Sequence, residues 1–242
     1  MEAREVIARR SDLSTFLVHL TRTSDGQSGK DRLKSIIESW TLEAHSMFGA
    51  AKQRLNDAGV VLESQKCVCF TETPLEYVHL LLQQIDNRQV QFEPYGVAFP
   101  KKIGRAMGVN PVWYIDITPG HDWLMGPVNQ LLDQAIASMD LAQTPIARLA
   151  PLIEQMGTRR NADGTLAYRK EFWWEREWRR AGNLGLPDRI IVLCPEVEFA
   201  EFQEAVAAHP LFGNATFVEP RWGLEQIISR LAGFDAEDSD IL

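Results

Sequence analysis

Glu175 and Glu177 lie two residues apart in a nine-residue run, 172–180, that also holds three tryptophans and three arginines. Alternate residues of an extended strand face opposite ways. Read as one strand over residues 168–179, the run places Glu175, Glu177 and Arg179 on one face with Trp173. Phe172, Trp174, Arg176 and Trp178 take the other. Carboxylates held side by side among aromatics form either a salt-bridged network or an active site. In the first case Arg176, Arg179 and Arg180 are the partners, and exposed pairs of that kind contribute little. In the second, the aromatics exclude water and perturb the acidity of the pair. Such a pair can stabilise a developing cation and deprotonate a nucleophile.

Three other places carry polar groups suited to a ligand. His19 and Thr21 point the same way on a strand over residues 15–21 and can address one molecule together, although a lone strand histidine is more often structural. Phe70, Thr71, Glu72 and Thr73 join a strand over residues 66–70 to a helix with Thr73 as N-cap and Pro74 at its first position. That loop reads as an ordinary cap or as a pocket at a helix N-terminus, where phosphate binds well. Tyr95 precedes Gly96 and offers either a stacking face or a core ring.

The elements that must position these groups form an irregular series. Strands are expected over residues 95–99, 111–117, 189–193 and 216–218, and helices over 30–40, 101–107, 196–207 and 223–231. Amphipathic helices over 124–139 and 145–156 read as a helical insertion between strands, serving as scaffold or platform. Residues 161–164 have turn composition. Strands and helices that do not alternate regularly indicate an α+β fold. Residues 1–234 are expected to form a single domain, with 235–242 as an acidic, disordered tail.

Composition sets further limits. The chain has 242 residues, a hydrophobic fraction of 45% and a net charge of −8. That charge argues against a broadly basic nucleic-acid surface, while the arginines of residues 159–180 leave room for a local one. No apolar run reaches the ~20 residues that a membrane-spanning helix needs. Cys67, Cys69 and Cys194 have no metal-ligand spacing, and a reducing cytoplasmic setting is the simplest reading. The five histidines are scattered and His-Glu-x-x-His does not occur, so no metal is expected. There is no glycine-rich phosphate loop and no nucleophile elbow.

Several segments, in this order, resemble a known family. Val18-His19-Leu20-Thr21, the helix from Leu33, Cys69-Phe70-Thr71-Glu72-Thr73-Pro74-Leu75, Tyr95-Gly96-Val97-Ala98-Phe99, Asn110-Pro111-Val112-Trp113-Tyr114 and Trp174-Glu175-Arg176-Glu177-Trp178-Arg179 look like the bacterial abortive-infection AbiGi-type family over most of residues 14–180. That resemblance implies a role in phage resistance, with an antitoxin function attached to the family name. The opening strand and helix are also similar to ADP-ribosyltransferases, including DNA-modifying enzymes of the DarT type. This second likeness implies a split mixed or antiparallel sheet that binds NAD as substrate. His19 and Thr21 would then hold the dinucleotide, Phe70, Thr71 or Tyr95 would line the nicotinamide pocket, and Glu177 or Glu175 would be catalytic. The middle motif departs from that pattern, since no Ser-Thr-Ser segment occurs.

Three readings follow. The first is an NAD-dependent ADP-ribosyltransferase of an anti-phage system, with nucleic acid as a candidate acceptor. The second is a non-catalytic antitoxin or interaction protein with a cognate protein partner, in which the tryptophan-rich segment is core. The third is a metal-dependent nuclease using Glu72, Glu175 and Glu177, which lacks the usual lysine.

Overall fold

Two parallel strand pairs, each joined through a helical crossover, organise the chain. The computed structural model describes residues 12–85, 88, 90–138, 141–161, 163–209 and 214–233, so the expected acidic tail lies outside the described residues. From the N-terminus the elements are β1 (Phe16–Leu20), α1 (Gly29–Ser39), β2 (Thr41–Leu42), β3 (Ser46–Met47), α2 (Lys52–Asp57), β4 (Lys66–Thr71), α3 (Val78–Leu81), β5 (Gly96–Pro100), α4 (Lys101–Ala106), β6 (Asn110–Pro111) and β7 (Trp113–Asp116). There follow α5 (Met125–Ala137), α6 (Pro145–Leu149), β8 (Ile153–Arg160), β9 (Leu166–Lys170), β10 (Glu177–Ala181), β11 (Leu184–Gly185), β12 (Ile190–Leu193), α7 (Phe199–Ala207), β13 (Ala215–Val218) and α8 (Leu224–Ala232). The class is α+β with mixed sheets, as the sequence indicates.

The chain divides into two compact units. The first comprises Met1–Thr41, Phe70–Met107 and Gly185–Leu242; the second comprises Leu42–Cys69 and Gly108–Leu184.

In the first unit the strand order is β13-β12-β5-β1. β12 and β13 run parallel, with α7 between them in sequence, whereas β5 is antiparallel to both β12 and β1. A parallel pair cannot be closed by a hairpin, which is why a helix intervenes. Ala98, Ile191 and Val218 from the strands pack with Val78 and Ile227 from the helices in one core. α1 starts where Ser28 and Asp31 form a reciprocal capping box, and it buries Leu33, Ile36 and Ile37. The helix expected after Pro74 is broken. Leu75–Tyr77 is a 3-10 turn and α3 is only four residues long. The N-cap position falls on Pro74 and not on Thr73, whose hydroxyl meets that of Thr71 at 2.7 Å.

In the second unit β3 pairs with β4, and β10 lies between β4 and β6. A separate three-stranded sheet has the order β7-β8-β9, with β7 and β8 parallel. This corrects the expected helical insertion. Its first half is α5, but α6 ends at Leu149, Ala150–Leu152 is a 3-10 turn, and residues 153–156 belong to strand β8. Pro151 explains the difference, because an interior proline removes a helix hydrogen bond and clashes with the preceding turn. The helices are the crossover between β7 and β8. Met125, Val128, Leu132 and Ala135 bury one face of α5 against Ile115 of β7 and Ile153 of β8.

The tryptophan-rich run is also corrected. It is not one strand: Trp173–Glu175 is a 3-10 turn after β9, and Arg176 takes a left-handed conformation (φ 50°) before β10 begins. Strand alternation therefore does not place Glu175 beside Glu177. Trp173 and Trp174 are exposed.

Gly96 is a regular strand residue, paired with Leu20 and Leu193. A Cβ there would collide with the His19 carbonyl. Gly96→Ala is expected to destabilise the protein by about 1–3 kcal/mol through overpacking. Urea unfolding of the variant checks this; an unchanged midpoint would show that the two strands can move apart.

Candidate functional site

Arg179 is the most buried charge in the second unit, at 2% exposure. It sits mid-strand on β10, and every part of its guanidinium meets a partner. Nε donates to Glu177 Oε1 at 2.8 Å, and one terminal nitrogen donates to Glu177 Oε2 at 2.8 Å and to Glu154 Oε2 at 2.7 Å. The other terminal nitrogen donates to the Pro151 carbonyl at 2.8 Å. The Phe48 ring lies 4.9 Å from the guanidinium carbon, in cation–π range. A planar fork with five donors suits such a site; a lysine ammonium does not.

The carboxylates are themselves secured. Lys170 donates to Glu154 at 2.7 Å, and the Tyr114 hydroxyl reaches Glu177 Oε2 at 3.4 Å. Two cations thus meet two carboxylates and the cluster is formally neutral. Burial would raise the Glu154 carboxyl, but Arg179 and Lys170 outweigh it and hold it below its ordinary value. Burial and then the Glu177 charge push the Tyr114 phenol up, so it remains a donor. Burial also lifts the Cys67 thiol to about 11 and the Cys69 thiol well above its usual value. Both are unbridged thiols that stay protonated at neutral pH and are poor nucleophiles.

Glu175, the other candidate catalytic carboxylate, is near enough for its charge to act on Tyr114, as does that of Glu177. Of the two expected carboxylates, Glu177 is the one with a hydrogen bond to that phenol. Glu154 falls within the helix that the spacing of residues 145–156 predicts, and it stands instead on β8. Pro151 was the available signal, since a helix ending there leaves Glu154 on the next strand.

The expected dinucleotide-binding residues lie in the first unit. His19 packs edge-on against Phe70, with ring centroids 5.8 Å apart, and Phe70 packs on Phe99. Thr21 is buried, and its hydroxyl is shared between the Gly29 carbonyl at 2.8 Å and the Tyr95 carbonyl at 3.1 Å. The Tyr95 hydroxyl donates to Glu198 at 3.2 Å, and Lys30 joins Glu198 and Glu201. Burial and the Glu198 charge raise the Tyr95 phenol to about 12. Thr71 bonds Thr73, while Glu72 is buried against Lys101 at 2.6 Å. The backbone N–H of Gly29, at the start of α1, donates to Glu93 at 3.0 Å. The chain's own carboxylate thus sits at the N-terminus of α1, where a helix favours negative charge. His19, Thr21, Phe70, Thr71 and Tyr95 belong to the first unit, and Glu175 and Glu177 to the second. Among the described residues no group of three or more His, Cys, Asp or Glu could hold a metal ion, and no helix is long and apolar enough to cross a membrane.

Residues 34–192 match the model of a family described as "Putative abortive phage resistance protein AbiGi, antitoxin". No curated protein and no solved structure gives a significant match.

Arg179→Met leaves Glu154 and Glu177 partly buried without their shared cation, and a loss of about 3–5 kcal/mol is expected. Chemical denaturation checks it; a loss within the range of a surface substitution would show that water replaces the guanidinium. Glu154 also sets a pH dependence. Its folded-state pKa lies below the ordinary 4.5, so its contribution is present above 4.5 and is lost as pH falls through the lower, folded value. Acid titration of stability should therefore be shallower in Glu154→Gln than in the parent; parallel curves would contradict the assignment.

Proposed function

The chain belongs to the AbiGi family of abortive phage resistance proteins, and from that premise we propose that it is the antitoxin of an abortive-infection pair, acting by binding a cognate toxin. The family description, matched over residues 34–192, carries this reading. The Arg179 cluster supports it. A catalytic carboxylate must be available to substrate, but both oxygens of Glu177 accept hydrogen bonds from Arg179. A neutral, fully bonded cluster is what a structural network requires. The side chain of Thr21 is also engaged by the protein's own backbone. Binding and neutralisation need neither NAD nor a metal, and the commitment of these groups to the fold is compatible with that role.

The reading predicts that expression of the neighbouring toxin gene stops growth and that co-expression of this chain restores it. The two products should co-elute as a stable complex. Calorimetry should give no heat with NAD, and radiolabelled NAD should leave no ADP-ribose on protein or nucleic acid. Growth arrest by this chain alone, with label transfer from NAD, would replace the antitoxin with a transferase.

A further inference from the structure

β9 lies at the rim of its sheet; among the described residues it pairs with β8 and with no other strand. A strand in that position presents a row of backbone donors and acceptors to an incoming chain. Its side chains are open as well: Leu166 is 61% exposed and Tyr168 41%, and Trp173 in the turn that follows is 56% exposed. Exposed tyrosine and tryptophan are the residue types that most often anchor protein partners.

The rim is selective. Arg159 pairs with Tyr168 and Arg160 with Leu166, so Ala167 is the extra residue of a bulge that limits the regular edge. β9 carries Arg169 and Lys170 and no carboxylate, and the part of β8 paired with it carries Arg159 and Arg160 and no carboxylate. Lys170 is spent on Glu154 and Arg169 on Glu171. Arg159 and Arg160 are exposed, and Arg160 donates to the Gly164 carbonyl. This basic stretch stands on a chain of net charge −8. Two copies joined edge to edge would bring like charges together, which disfavours self-association. An acidic strand meets the opposite situation.

We propose that β9 is the docking edge for an extended, acidic segment of the partner toxin, which adds as a fourth strand with Tyr168 and Trp173 as its anchors. The proposal rests on the antitoxin reading above. Nucleic acid would also be drawn to these arginines, but it has no use for an unpaired strand edge.

The test uses the full chain and the product of the neighbouring toxin gene. Amide exchange of residues 166–170 should slow about ten-fold or more in the complex. Arg159→Glu with Arg160→Glu should weaken the toxin Kd about ten-fold or more, with a shallower salt dependence. Prolines are placed separately at Tyr168 and Arg169, because successive residues of an antiparallel strand send their N–H groups to opposite sides. The proline variant that melts like the parent should lose the toxin. A complex of parental affinity in the charge variant, with no slowing at residues 166–170, overturns the docking edge and leaves the antitoxin reading intact. Absence of any complex removes both. Loss of a labelled single-stranded oligonucleotide by the charge variant, with toxin binding unchanged, reassigns the edge to nucleic acid and also overturns the proposal.

Discussion

The bidentate grip of Arg179 on Glu177 is the constraint around which the second unit is arranged. A guanidinium at 2% exposure is tolerable only if its donors are satisfied. Satisfying them fixes Glu177 on the same strand, Glu154 on β8, the Pro151 carbonyl just before β8, and Phe48 beneath the cation. One side chain thereby specifies where the long crossover from β7 must end. The gain over an apolar core is specificity of arrangement more than stability, since a well-packed hydrophobic replacement often matches a buried ion pair.

The helical block between β7 and β8 has a plain physical origin. β7 and β8 are parallel neighbours, so the chain must travel back along the sheet before the second strand begins. α5 does so while burying Val128 and Leu132 against the strands it connects. The first unit repeats the arrangement with α7 between β12 and β13. In both units helix and strand pair are a single requirement, and neither helix is an appendage to a finished sheet.

Much of this was legible in the residues. Phe16, Val18 and Leu20 announce β1, the Leu33-to-Trp40 spacing announces α1, and the cysteine-bearing strand is where the alternation puts it. The AbiGi resemblance was legible as well, from short motifs in order. What failed did so for local reasons. The apolar spacing of residues 145–156 suits a helix, and Pro151 within it decides otherwise. The run 168–179 alternates well enough for a strand, but Arg176 adopts a left-handed backbone that no periodicity reveals. Arg179 as a partner of Glu177 was legible, whereas the second carboxylate on Arg179, that of Glu154, was hidden by the expected helix and becomes available only once residue 153 begins a strand. Long-range pairing of charges is a property of the assembled sheets and has no short sequence signature.

The interleaving of the two units along the chain has a kinetic consequence. The first unit is built from three separated segments, and the second from the two stretches between them. β5 pairs Val97 with Val192 of β12, so its sheet stays incomplete until the chain has been made past residue 192. Closing such distant contacts is slow, and the waiting strands expose backbone edges and apolar faces meanwhile.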